Sequence, residues 1–118
     1  MMIKIEAMVR EEKFEDVKAA LDEIGVNGLT VSQVMGVGIQ RGYKEIVRGM
    51  QVDMQMQPKI KFEIVVSSEE WEQKTIDAIQ KAAYTGEAGD GKIFSYEIKK
   101  AYKIRTKETG YDAVQASD

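Results

Sequence analysis

The sequence predicts an α+β domain in which one strand–helix–strand unit is used twice, and three observations carry that prediction. Apolar residues alternate through residues 3–9 and again through residues 60–66, and after each run the apolar spacing lengthens to that of a helix. The two units also align: IEAMVREEKFE from Ile5 matches FEIVVSSEEWE from Phe62, which sets Glu6 on Glu63, Val9 on Val66 and Phe14 on Trp71. Between the units lies a long segment, residues 36–58, that reads as neither strand nor helix. A connection of about twenty residues is rare in a compact domain and is usually functional.

In the first strand Ile3, Ile5, Ala7 and Val9 alternate with Lys4, Glu6, Met8 and Arg10, the pattern of one buried face. Phe14, Val17, Leu21 and Ile24 then fall at helical spacing, and Gly25 stands where a helix ends on a left-handed residue. Residues 29–37 form a second strand. Residues 59–66 form the third, with Ile60, Phe62, Ile64 and Val66 on one face and Lys59, Lys61 and Glu63 on the other. Ser67-Ser68-Glu69-Glu70 has the composition of a capping box and opens a second helix through Trp71, Ile76, Ile79 and Ala83. A glycine-rich turn from Thr85 leads into a fourth strand at residues 92–96, and residues 101–106 read as a further short extended piece. Two split βαβ units in this order (βαββαβ) give the ferredoxin-like arrangement, an antiparallel four-stranded sheet with two helices on one face. The other face carries Lys4, Glu6, Met8, Lys61 and Glu63. It is either solvated or packed against further copies of the chain that pair its charges.

Composition removes several functions. The 118 residues make one domain, large enough to fold without staples. A net charge of −3 and a pI near 5.1 argue against a nucleic-acid partner, which needs a concentrated basic surface. No apolar run is long enough to span a bilayer and the N-terminus does not read as a signal peptide, so the expected location is cytoplasmic. Cysteine and histidine are both absent, which excludes thiolate nucleophiles, imidazole triads and thiolate or imidazole metal sites. A metal here must be held by oxygen, which favours Mg²⁺. With no nucleophile beside a plausible base, the protein reads as a binder and not an enzyme.

Three patterns point to an anion ligand, and each has a plainer reading. Gly89-Asp90-Gly91-Lys92 offers converging backbone N–H groups and a point charge for phosphate, or it is a glycine turn entering a strand. Gly36 and Gly38 permit close approach of a ligand to the backbone, or they mark a bulge. Lys103 and Arg105, two residues apart, project to one face of a strand, as a phosphate clamp or as a solvated face.

Taken in order, GVGIQRG after the second strand, VRG in the long segment, the PKIKFEIVV strand, TGEAGDGKIF and KIRTKETGYDA resemble the PII family of nitrogen-regulatory signalling proteins over residues 2–113. The resemblance implies a homotrimer with sheets facing inward, the packed alternative for the charged face. It further implies a sensor that binds ATP or ADP in clefts between subunits and, with Mg-ATP, 2-oxoglutarate. It places Gly36, Gly38, Gly89, Asp90, Gly91 and Lys92 around the phosphates, Thr30 and Val65 near the adenine, and Glu63 beside the lysine. Lys103 and Arg105 arrive from the neighbouring subunit, while Gln40 and Lys59 match the residues that engage Mg²⁺ and 2-oxoglutarate, Gln40 as the metal ligand. The domain spans residues 1–113, with a T-loop at 38–56, a B-loop at 83–91 and a C-terminal loop at 103–112, followed by a flexible tail at 114–118. Tyr43, Lys44 and Arg48 are implied partner contacts. Arg48 matches the arginine that blocks the pore in members regulating an ammonium channel, so a membrane is reached only through a partner.

Several positions depart from the family pattern. Val52 and Val47 replace the loop tyrosines, which excludes uridylylation there, and Met50 stands where some members carry a phosphorylatable serine. Ile39 and Lys103 replace arginines and Glu87 a lysine, each reducing cationic grip near the triphosphate. Ile39 and the methionine-rich MQVDMQMQ half of the long segment keep a second expectation alive, against Gln40 and Lys59: an energy sensor of ATP against ADP that ignores 2-oxoglutarate and controls another transporter or enzyme.

Overall fold

The computed structural model describes residues 1–26, 28–39, 45–47, 50–52 and 54–114, giving strand pairing alone at residues 38, 39, 45–47, 50–52, 54 and 55. The elements are β1 (Met2–Arg10), α1 (Phe14–Glu23), β2 (Leu29–Ile39), β3 (Glu45–Val47), β4 (Met50–Val52), β5 (Met54–Val66), α2 (Glu69–Ala83) and β6 (Gly91–Ile98). Four strands form one antiparallel sheet in the order β2-β5-β1-β6, and β3 pairs with β4 in a separate hairpin. This is the expected split repeat, with its two central strands supplied by the first strand of each unit.

The alternation in the sequence becomes the two faces of the sheet. Ile3, Ile5, Ala7 and Val9 on β1 meet Val66, Ile64, Phe62 and Ile60 on β5, and all eight are buried against Val17 and Leu21 of α1 and Ile79 and Ala83 of α2. Phe14 stacks on Phe62 with ring centroids 5.7 Å apart. Truncating a fully buried phenylalanine such as Phe62 costs roughly 3–5 kcal/mol, so this contact helps to anchor α1 to the sheet. Helix α1 ends as its sequence requires: Gly25 has φ +85°, its N–H donates to Asp22 at 3.0 Å, and Val26 N–H reaches back to Leu21 at 2.9 Å.

On the helix-free face the charges pair within the chain. Lys4 lies 2.8 Å from Glu63 and Lys61 lies 3.1 Å from Glu6, whose other oxygen accepts the Tyr96 hydroxyl. The Tyr96 hydrogen bond, with Lys61, holds Glu6 below the usual carboxylate range and pushes the Tyr96 hydroxyl up. By register Phe94 and Tyr96 stand beside Glu6 and Lys4, and they remain 52% and 46% exposed.

Three sequence expectations are corrected. The long segment is not structureless in its described parts: β2 continues to Ile39 against Met54, and β3 and β4 add a hairpin. Alternating Val37, Ile39, Met54 and Met56 extend the ladder, and Pro58 does not stop it. The β1 partner of β5 ends at Lys59, so Pro58 has only β2 beside it, the edge situation in which proline is tolerated. The capping box is only half present. Ser68 is the cap and its hydroxyl accepts from Trp71 N–H at 3.1 Å, but three residues beyond Ser68 stands Trp71, with no carboxylate to reach back. Residues 101–106 are a turn and not a strand. Tyr102 bridges to Thr109, Lys103 N–H donates to Glu108 at 2.8 Å, and Lys107 has φ +64°. The Thr106 hydroxyl accepts from Glu108 N–H and donates to its carboxylate, the local bonding by which threonine draws a chain out of a strand. Lys103 and Arg105 therefore do not share a strand face.

A candidate anion-binding cleft

The connection from α2 to β6 is built around Asp90. One oxygen of its carboxylate accepts the N–H groups of Thr85 at 2.9 Å and Gly86 at 3.0 Å; the other accepts the Thr85 hydroxyl and Arg10 Nε, the last at 3.1 Å. Thr85 dominates in holding the Asp90 carboxyl far below the usual carboxylate range, with Gly86 and Arg10 adding to it. The aspartate thus staples residues 85–90 into a closed turn. At Gly89 and Gly91 the chain takes φ of +102° and +108°, open to glycine and strained for other residues.

Two cations at the end of the sheet grip this turn from the strand side. Arg10, the last residue of β1, donates Nη2 to Ala88 O at 2.8 Å. Its register partner on β5, Lys59, donates to the next carbonyl, that of Gly89. Lys59 is buried, and desolvation, with Arg10 beside it, pulls its ammonium below the ordinary lysine value. Gly36 on β2 makes room for that side chain, since a Cβ there would meet Lys59 Cγ at 3.2 Å.

Beside the turn opens a cleft of about 620 Å³ lined by Gly36, Gln57, Lys59, Glu87 and Gly89 through Lys92, with Met8, Val34, Met35 and Val37 as its apolar part. The volume suits a nucleotide-sized ligand. Of the predicted site residues, the chain brings together Gly36, Lys59, Gly89, Asp90, Gly91 and Lys92. Gly38 continues β2 opposite Gln55. Thr30, Glu63 and Val65 lie elsewhere: Thr30 pairs with Glu63 in register, Glu63 is engaged by Lys4 and not by Lys92, and Val65 pairs in register with Lys4 on β1. Lys103 pairs with Glu108 at 3.7 Å in its own turn. Gln40, Tyr43, Lys44 and Arg48 lie outside the described residues, as does the tail beyond Val114.

Arg10 and Thr85 escaped the sequence reading. Alternation placed Arg10 opposite the buried face of β1, but its approach to the glycine turn is a long-range contact that no local pattern shows. For a divalent cation, the described residues contain no cluster of acidic ligands, and Asp90 is committed to its four donors. Among the described residues no Mg²⁺ site is formed, and Gln40, the expected metal ligand, lies outside them.

The fold and cleft define a ferredoxin-like domain with a nucleotide-sized cleft beside a glycine turn held by two strand cations. The chain matches the family model for nitrogen regulatory protein P-II over residues 2–108, and it belongs to that family. It is 46% identical over 113 residues to nitrogen regulatory protein P-II of Bradyrhizobium diazoefficiens, covering 96% of this chain and 100% of that protein. It is 49% identical to nitrogen regulatory protein P-II 1 of Methanothermobacter thermautotrophicus, covering 96% and 97%. Among solved structures it is similar to the B. subtilis GlnK–ATP complex, with TM-score 0.77 and 38% identity over 95% of this chain and 94% of that one. It is also similar to Arabidopsis thaliana PII bound to citrate, with TM-score 0.74 and 37% identity over 95% and 91%.

Proposed function

We propose that this P-II protein is a non-enzymatic, cytoplasmic sensor that binds ATP or ADP and, with Mg-ATP, 2-oxoglutarate, and signals through residues 38–56. The observation that carries the reading is the convergence of Gly36, Lys59, Gly89, Gly91 and Lys92 on one cleft. It agrees with the ATP held by the similar B. subtilis GlnK, and citrate on the Arabidopsis relative agrees with a polycarboxylate as second ligand. In this reading Gly36, Gly38 and residues 89–92 surround the phosphates, Thr30 and Val65 face the adenine, and Gln40 and Lys59 serve Mg²⁺ and 2-oxoglutarate.

The same geometry supports a site shared between neighbouring copies, as the expected homotrimer requires. Thr30 and Gly36 are six residues apart on one extended strand, about 20 Å, longer than a nucleoside triphosphate. One chain therefore cannot place its own Thr30 on the base and its own Gly36 on the phosphates of a single nucleotide. Two neighbouring copies meeting across a cleft can, with Lys103 and Arg105 entering from the second copy. Phe94 and Tyr96, half exposed beside the paired charges, supply apolar surface for that packing. The partner reached by Tyr43, Lys44 and Arg48 is an ammonium channel or another protein of nitrogen assimilation. Any membrane contact runs through it, since no described helix is long and apolar enough to cross a bilayer.

The test is calorimetric titration of 2-oxoglutarate with Mg-ATP, with Mg-ADP and with no nucleotide. Binding with Mg-ATP alone supports the reading. Nucleotide binding without any 2-oxoglutarate binding favours the energy sensor, to which Ile39, in place of the family's arginine, already points. Steady ATP turnover would replace both with a hydrolase.

A further inference from the structure

The grip of Arg10 on the glycine turn has a function of its own if the cleft takes phosphate, and the inference rests on that reading. Ala88 O and Gly89 O, consecutive carbonyls, are held by Arg10 and Lys59 respectively. The described residues contain no cis peptide bond. In a trans peptide the C=O and N–H point in opposite directions, so fixing these two carbonyls on the strand side turns the N–H groups of Gly89 and Asp90 the other way. Arg10 also holds Asp90 itself at 3.1 Å, tying the sheet to the aspartate that closes the turn. No lysine reproduces this: the guanidinium presents donors in a planar fork, and here two different nitrogens serve two acceptors.

We infer that Arg10 is a positioning residue for phosphate recognition: it orients the 88–90 backbone as an anion-binding nest without itself touching the anion. The turn is then organised before ligand arrives, so less ordering cost falls on binding. Gly89 belongs to the same device. A Cβ there would press on Arg10 Nη2 and Gln57 Oε1, both at 3.3 Å, so the turn sits close on the guanidinium.

The experiment compares wild type, Arg10→Gln and Arg10→Lys with ATP, inorganic triphosphate and adenosine as titrants, alongside amide hydrogen exchange in the ligand-free protein. Arg10→Gln should weaken ATP and triphosphate by about tenfold, the loss of one charge-assisted contact, and leave adenosine unchanged. Arg10→Lys should recover little. Exchange at Thr85 and Gly86, whose N–H groups donate to Asp90, should quicken in both variants while Phe62 and Ile64 stay protected. A double-mutant cycle with Asp90→Asn separates positioning from contact: shared loss supports positioning, and fully additive losses mean that Arg10 touches the phosphate directly and overturn it. Full recovery by Arg10→Lys, or unchanged exchange in Arg10→Gln, also overturns it. Wild type that binds neither ATP nor triphosphate sinks the nucleotide reading and with it the role in phosphate recognition; the exchange rates then decide whether Arg10 orders the turn at all.

Discussion

Gly91 lies so close to Met8 that a Cβ at residue 91 would stand 1.8 Å from the Met8 carbonyl oxygen. The two residues belong to neighbouring strands where β6 leaves the glycine turn, and Gly91 pairs with Val9 in register. Its φ of +108° adds a second reason for glycine. Gly91→Ala must move the backbone of β1 or β6, and its expected cost is about 2–4 kcal/mol by denaturant unfolding. Gly25→Ala, with φ +85° but nothing within 4 Å, is the control for backbone strain alone and should cost about 1 kcal/mol. Equal losses at the two positions would show that the contact with Met8 contributes nothing.

Asp90 sets an acid dependence whose sign follows from its hydrogen bonds. Its folded carboxyl titrates below the ordinary value of 3.8, so its stabilisation is fully present above that value and is lost as pH falls through the folded one. Asp90→Asn should lower the melting temperature at pH 7, and the gap from wild type should narrow once pH falls below about 4. A gap that stays constant from neutral pH to pH 3 would mean that the carboxylate is not what closes the turn.

Thr75 offers a gain. It is fully buried on α2, and its hydroxyl meets no acceptor among the described residues. Burying such a group without a partner costs free energy that a methyl group of similar size does not. Thr75→Val should stabilise the protein by roughly 1 kcal/mol in chemical unfolding. Destabilisation of that size would mean the hydroxyl has an acceptor in solution, such as a buried water.

Local signals made most of the fold legible. Strict alternation in β1 and β5 identified both central strands and their buried faces, and the apolar spacing with Gly25 identified α1 and its end. What failed was decided by neighbours. In the sequence the third strand begins only after Pro58, at residue 59, yet β5 passes through the proline because β1 has already ended. Lys103 and Arg105 read as a strand pair until the Thr106 side chain bends the chain. In the cleft, residue types announced the glycine turn and Lys59, while Arg10 became visible only when the sheet brought residues 10 and 90 together.

The separation of Thr30 from Gly36 makes a prediction about shared sites. If the base rests on one copy and the phosphates on another, a variant damaged at one end complements a variant damaged at the other. Thr30→Trp blocks the proposed adenine end, and Lys92→Glu reverses the charge at the phosphate end. Each alone should lose ATP binding while keeping its fold, since both residues are exposed in the single chain. Unfolded together and refolded as a mixture, they should regain about one site in four, the share of interfaces in a randomly mixed ring that join two undamaged halves. Stoichiometry by calorimetry reads this directly. No recovered sites, with mixed assemblies demonstrated by mass, would place the whole nucleotide within one chain and remove the geometric argument for the trimer.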